Sequence, residues 1–133
     1  MPATVAYLDS SAFVKLVVRE PESSALKRAL ARWPQRASAA LLRTEAVRAL
    51  RHSGNERYVA AARLLMRSVH LVQLDEVLLD RAADMAPAAL RPLDAVHLAA
   101  AMSLGSDLGI VFAYDTRLNL AAERLGLPVA PPA

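Results

Sequence analysis

The stretch from residue 4 to residue 16, TVAYLDSSAFVKL, constrains the fold more than any other part of the chain. Residues 4–8 have the length and the β-branched and aromatic content of a buried strand, and the apolar residues that follow recur at helical spacing. Asp9 stands at the junction. Strand-to-helix units build parallel sheets, whose ligand sites lie at the carboxyl ends of the strands. Asp9 is therefore predicted to lie at such an edge, although Asp is also a good helix N-cap.

The same arrangement returns near the end of the chain, where an apolar run at 110–114 leads to Asp115 and a helical pattern. Between these two units, weaker strand patterns at 36–40 and 69–74 alternate with helical patterns, and a last edge strand is predicted at 127–130. Strands that alternate with helices are typical of a parallel α/β sheet. The expected fold is therefore α/β, with four or five parallel strands flanked by helices, which cover residues 10–17, 22–33, 41–52, 56–68, 76–85, 93–104 and 116–125.

Length and composition limit the number of domains and the location. The 133 residues are predicted to form a single domain over residues 1–133. No uncharged apolar run approaches the ~20 residues that span a bilayer. No basic leader precedes an apolar core with a cleavage site, so we expect a cytoplasmic location without membrane association. Because the chain has no cysteine, disulfides and thiolate metal sites are excluded, and oxygen and imidazole remain as strong metal ligands.

The net charge of +3 is unevenly distributed. Residues 1–66 carry eleven Lys and Arg against five Asp and Glu, whereas residues 67–133 carry five against eight. A basic half suits a polyanionic partner such as nucleic acid, although arginine-rich proteins without such a partner are also common. Four basic residues of this half are predicted to contact phosphates: Lys15, Arg43, Arg48 and Arg51. The alternative is that they are charges on helices exposed to solvent.

Three aspartates occupy the starts of predicted helices. Asp9 and Asp115 each follow a predicted strand, so their carboxylates share one edge of the sheet if both strands belong to it. Asp94 stands in the first turn of the helix 93–104. Each of these residues alone is explained by helix capping.

Glu45 is informative because it falls on the apolar face of its helix, in the row formed with Leu41 and Ala49. An ionised carboxylate on such a face is costly unless it is paired or coordinates a metal. A salt bridge to Arg43 or Arg48 is the alternative.

A cluster of these acids implies a metal ion, because like charges brought together repel unless a cation compensates them. Oxygen ligands select Mg²⁺ or Mn²⁺, which keep several waters and bind substrate phosphates at their remaining positions. The chemistry that follows is metal-assisted phosphodiester hydrolysis, in which the metal activates a water and stabilises the charge on the scissile phosphate.

Four segments of the chain, taken in order, resemble the motifs of the PIN-domain ribonucleases, and more narrowly those of the VapC toxins of bacterial type II toxin–antitoxin modules. The segments are LDSSAFVKL at 8–16, LLRTEAVRAL at 41–50, LRPLDAVHLAAA at 90–101 and FAYDTRLNLAAERLGLPV at 112–129. The resemblance covers the chain from end to end and implies a single PIN domain with a three-layer fold. It also implies a catalytic, metal-binding site formed by four acids: Asp9, Glu45, Asp94 and Asp115. The hydroxyl of Ser11 or Thr116 is implied to support these acids.

The resemblance further implies Mg²⁺-dependent cleavage of RNA, a homodimer, and neutralisation by a small antitoxin. Two other functions stay open. A phosphatase of the haloacid-dehalogenase type also begins with a strand and an Asp, but it needs a second acid two positions on, where this chain has Ser11. A PIN-like module retained only for RNA or protein binding would not need all four acids. Tyr7 and Tyr114 are predicted to pack inside their strands. His97 is predicted to pack on its apolar helix and not to act in catalysis, with a general acid as the alternative.

Overall fold

A computed structural model describes residues 3–129 of the chain. Four strands alternate with helices, and they are β1 (Val5–Leu8), β2 (Gln35–Ala39), β3 (His70–Val72) and β4 (Leu108–Phe112). The α-helices are α1 (Ser10–Val17), α2 (Ser23–Leu30), α3 (Leu42–His52), α4 (Val59–Met66), α5 (Glu76–Ala83), α6 (Pro92–Met102) and α7 (Thr116–Arg124). Within the described range, no helix combines the length and the apolarity that crossing a membrane requires.

The four strands form one parallel sheet in the order β3-β2-β1-β4, which confirms the predicted α/β class. Strand β1 is central, and its four residues are all buried. A strand covered on both faces is expected to be apolar throughout, as VAYL is. At its carboxyl end, Leu8 pairs with Phe112 of β4, and the N–H of Asp9 donates to the carbonyl oxygen of Phe112 at 3.2 Å. The ends of β1 and β4 therefore lie side by side.

Alternate residues of β1 face the two helical layers. Ala6 and Leu8 pack with residues of α1 and α2, whereas Val5 and Tyr7 pack with residues of α5 and α6. Asp9 continues this alternation two residues beyond Tyr7. Helix α6 is buried over most of its circumference because its alanines pack in the core. This arrangement makes the three layers of helices, sheet and helices.

Strand β4 begins and ends two residues before the predicted 110–114. The N–H of Tyr114 donates to Ser11 Oγ at 3.0 Å and so does not continue the sheet ladder. The prediction that Asp115 directly follows a strand was therefore wrong, since two residues separate them. Asp115 nevertheless lies near the end of β1, because it lines the same cavity as Asp9.

Two other predicted elements differ in detail. The segment 56–68 begins with a 3-10 turn over Glu56–Tyr58 before α4 starts. The predicted edge strand at 127–130 is a single parallel bridge between Val111 and Val129, and its last residue, Ala130, lies outside the described residues.

Candidate active site

Four acidic side chains line one cavity of about 460 Å³ beyond the carboxyl ends of β1 and β4. Asp9 reaches it from the end of β1, Asp115 from the start of α7, Glu45 from α3 and Asp94 from the first turn of α6. The structure thus brings together the four acids that the sequence singled out. Residues from α1 and the start of α6 complete the walls: Ser10, Ser11, Arg91, Pro92 and Leu93.

Asp9 is both a helix cap and a cavity residue. Its Oδ1 accepts hydrogen bonds from the N–H of Ala12 at 2.9 Å and from Ser11 Oγ at 2.7 Å, and the side chain is 4% exposed. Burial raises the pKa of Asp9 above its ordinary value, and the two hydrogen bonds offset part of that rise. Oδ2 has no hydrogen bond from any residue in the described range, so it is available to a ligand.

Glu45 is held by a histidine. Nε2 of His97 lies 2.6 Å from Glu45 Oε1, and Nδ1 of the same ring lies 2.7 Å from the hydroxyl oxygen of Tyr7. The alternative salt bridge to Arg43 or Arg48 was wrong, because Glu45 faces α6 and bonds to its histidine. His97 is buried as predicted, but its two ring nitrogens connect the core to the cavity.

Asp94 and Asp115 share one counter-ion. Arg91 Nε donates to Asp94 Oδ2 at 3.0 Å, and Nη2 of the same guanidinium donates to Asp115 Oδ2. These bonds and charges, those of Asp94 first, raise the pKa of Arg91. Asp115 Oδ1 accepts from the N–H groups of Arg117 and Leu118, so Asp115 also caps α7. The guanidinium side chain is 56% exposed, so solvent reaches it at the edge of the cavity.

The donor set fits a hard cation, although the side chains are not yet grouped around one. Among residues 3–129, no three Asp, Glu or His side chains form a group that could hold an ion as they stand. Arg91 bonds to one oxygen each of Asp94 and Asp115, and His97 bonds to one oxygen of Glu45. Mg²⁺ usually needs only one or two carboxylates beside its waters. Three other carboxylate oxygens around the cavity carry no hydrogen bond from the described residues: Asp9 Oδ2, Glu45 Oε2 and Asp94 Oδ1.

The two predicted supporting hydroxyls have different surroundings. Ser11 Oγ donates to Asp9 Oδ1 and accepts from the N–H of Tyr114, so it joins the ends of β1 and β4. Thr116 is exposed at the first position of α7 and is not among the residues that line the cavity. Its supporting role stays a prediction.

The predicted phosphate contacts are also in different environments. Lys15 lines an adjoining cavity of about 500 Å³, where its Nζ pairs with Glu22 at 3.1 Å and Glu20 at 3.4 Å. Its side chain is only 11% exposed, and the ammonium lies 4.8 Å from the centre of the Tyr114 ring. The three arginines of α3 are exposed, and they are Arg43, Arg48 and Arg51. Arg51 pairs with Glu56 at 3.4 Å.

Sequence reasoning missed three residues of the site. Tyr7 had a usable signal, because residues two apart in a strand share a face and Asp9 follows at that spacing. Arg91 stands three positions before Asp94, within reach across a helix start. The contact between His97 and Glu45 joins positions 52 residues apart, and no local pattern announces it.

Comparison with known proteins agrees with this architecture. The PIN domain family model matches residues 6–124. The chain is 48% identical to Ribonuclease VapC46 of Mycobacterium tuberculosis, over 95% of this chain and 96% of that protein. It is 40% identical to Ribonuclease VapC35 of the same organism, with the same two coverages.

Two solved structures share the fold. Mycobacterium tuberculosis VapC20, described as a sarcin-ricin loop cleaving toxin, superimposes with a TM-score of 0.73 at 17% identity and covers 87% of this chain and 94% of its own. VapBC2 from Rickettsia felis, bound to a DNA fragment from their promoter, gives a TM-score of 0.69 at 9% identity, with 97% and 99% covered. At such identities the superpositions establish the fold alone.

Proposed function

The chain belongs to the PIN domain family and, within it, to the VapC ribonucleases, and from this premise we propose that it is a Mg²⁺-dependent endoribonuclease toxin. The observation that carries the proposal is the convergence of four carboxylates on one cavity. Ribonucleases of this family are metal-dependent, and oxygen ligands favour Mg²⁺, with Mn²⁺ as a substitute. Family membership removes the haloacid-dehalogenase-like alternative.

Four acidic residues would hold the metal. When bound, the ion supplies an activated water and stabilises the charge on the scissile phosphate. Ser11 and the N–H of Ala12 hold Asp9 in one rotamer, and His97 does the same for Glu45. A carboxylate that is already ordered loses less entropy on binding a cation. The proposed ligands are Asp9, Glu45, Asp94 and Asp115.

Arg91 has the position and chemistry of a phosphate contact. A planar guanidinium recognises phosphate oxygens in pairs, as it now recognises the carboxylates of Asp94 and Asp115. A cation held by Asp94 and Asp115 would compensate their charge in place of Arg91, and the exposed Arg91 side chain would then be available to a phosphate of the RNA. We assign Lys15 and the exposed arginines of α3 a secondary role, in which they contact phosphates along the strand without reading bases.

The partners follow from the family. We propose an RNA substrate, a small antitoxin that neutralises the toxin, a homodimer, and a cytoplasmic location. An antitoxin suits a site whose activity depends on accessible carboxylates, because a basic segment could occupy them as Arg91 does here. A non-catalytic PIN-like module is the second candidate, and the cleavage test below separates the two.

Purified protein is expected to cleave RNA when Mg²⁺ or Mn²⁺ is supplied and to stop when a chelator removes the ion. The measurement is gel electrophoresis of end-labelled RNA with each ion, with chelator, and after the metal is restored. RNA binding is expected to weaken steeply with added salt, since phosphate contacts release counter-ions. Cleavage that resists chelation would contradict the metal mechanism, and metal-independent binding without cleavage would favour the non-catalytic module.

Arg91→Gln is expected to strengthen Mn²⁺ binding in the absence of RNA by a few-fold. The substitution removes a positive charge that competes with the ion for oxygens of Asp94 and Asp115. Calorimetric titration with Mn²⁺ measures the effect, and Arg124→Gln serves as the matched control because it removes an exposed arginine that does not line the acidic cavity. Equal affinities in the two variants would show that the Arg91 pairs do not oppose metal binding.

A further inference from the structure

A buried chain of hydrogen bonds crosses from the sheet to the cavity. It begins at Tyr7 in the central strand, passes through the ring of His97 on α6 and ends at Glu45 on α3. The exposed fractions of Tyr7 and His97 are 1% and 2%. Both contacts are shorter than 2.8 Å, and both ring nitrogens are used. The histidine is thus fully committed to these two partners.

The direction of the two hydrogen bonds follows from the carboxylate at one end of the chain. An ionised carboxylate only accepts, so the 2.6 Å contact with Glu45 Oε1 requires an N–H at Nε2 of His97. In the tautomer that carries its proton on Nε2, Nδ1 accepts, and the Tyr7 hydroxyl at 2.7 Å donates to it. Tyr7 thereby selects the tautomer that can hold the carboxylate.

Glu45 then resembles Asp9 in how it is held. In each carboxylate, one oxygen receives protein hydrogen bonds, and the other has none from the described residues. The donors to Asp9 come from its own helix start, a local device. Glu45 lies in the first turn of α3, but its carboxylate caps no N–H of that helix, and its hydrogen bond comes from another element. His97 supplies it.

We propose that His97, oriented by Tyr7, is a positioning residue that fixes the Glu45 carboxylate so that Oε2 stays available to a divalent cation. The inference rests on the proposed function, since it concerns the metal of that site. Neighbouring groups that orient metal ligands typically change metal affinity or activity by about 10- to 100-fold when they are removed. A histidine that only filled the core would affect folding and leave the ratio of bound to free metal unchanged.

His97→Leu is expected to weaken Mn²⁺ affinity about 10-fold or more, measured by calorimetric titration of the full chain with Mn²⁺ alone. His97→Gln is expected to retain most of the affinity, because its amide can accept from Tyr7 and donate to Glu45. Tyr7→Phe is expected to fall between them, since the ring then populates both tautomers. The matched control is His52→Leu, which changes an exposed histidine on the same helix as Glu45.

A double-mutant cycle separates positioning from general damage. In a Glu45→Gln background, His97→Leu should change Mn²⁺ affinity by less than about twofold, because the group that it positions is already gone. An equal loss in both backgrounds overturns the proposal, and so does His97→Gln binding as weakly as His97→Leu. If circular dichroism shows that His97→Leu does not fold, the same double-mutant cycle is measured with His97→Gln and Tyr7→Phe.

The outcomes distinguish this proposal from the proposed function. A wild-type protein that binds Mn²⁺ and cleaves RNA, with His97→Leu unchanged in affinity, overturns the positioning role alone. A wild-type protein that neither binds Mn²⁺ nor cleaves RNA overturns both the metal-dependent nuclease and the role built on it.

Discussion

Replacing Asp9 by Asn is expected to lower RNA cleavage by about 10³-fold or more while the protein stays folded. Asn is about as good an N-cap as Asp, so the bond to the N–H of Ala12 survives. The substitution removes a negative ligand from the proposed metal, whose stabilisation of the transition state is worth several kcal/mol, and about 1.4 kcal/mol corresponds to tenfold in rate. The measurement is the single-turnover cleavage rate of an end-labelled RNA in saturating Mg²⁺.

The chain contains its own control for this substitution. Asp75 caps α5 with the same geometry, its Oδ1 accepting from the N–H of Leu78 at 2.9 Å, and it does not line the acidic cavity. Asp75→Asn is therefore expected to cleave RNA at the wild-type rate. Asp115→Asn, which keeps the cap of α7, should lose activity as Asp9→Asn does. An active Asp9→Asn protein would leave capping as the whole role of this residue.

The sequence was sufficient for the layout of the fold and for the acids of the site. Strand, cap and helix patterns are local, so the residues next to Asp9 are enough to predict that it lies at the end of an apolar strand. Parallel pairing puts the carboxyl ends of the strands at a common edge, whereas the order β3-β2-β1-β4 was not predicted from the sequence. The end of β4 was misplaced because the N–H of Tyr114 donates to a side chain, Ser11 Oγ, and not to the neighbouring strand.

The long-range partners of Glu45 and Asp115 were beyond local patterns. Arg43 and Arg48 lie close to Glu45 in sequence, yet they are exposed, while the carboxylate faces α6 and His97. The packing of α3 against α6 decides that contact, and helical spacing says nothing about it. Arg91 likewise meets Asp115 across 24 residues because the start of α6 lies beside the turn after β4. Sequence positions identified the charges, and tertiary packing determined how each charge is compensated.

Without metal, Asp9→Asn is expected to be more stable than the wild type at neutral pH. Burial raises the pKa of Asp9 above its ordinary value of 3.8, so the folded state binds this proton more tightly than the unfolded chain. The free energy of unfolding of the wild type therefore falls as pH rises through the raised pKa. The Asn variant lacks the carboxyl group and does not lose this stability. The difference in Tm should be smallest in acid and grow toward neutral pH, with about 4 °C corresponding to about 1 kcal/mol in a domain of this size.

Added Mg²⁺ is expected to reverse that order. An ion that binds only the folded state stabilises it by about 2.7 kcal/mol at 100 times its Kd, and the wild-type Tm should rise accordingly. Asp9→Asn, with one ligand lost, should gain much less at the same concentration. Thermal melts of both proteins with Mg²⁺, with chelator and with NaCl at matched ionic strength measure this, and Asp75→Asn should follow the wild type. Equal gains in all three proteins would mean that Mg²⁺ acts elsewhere, because a site that includes Asp9 must lose affinity with its carboxylate.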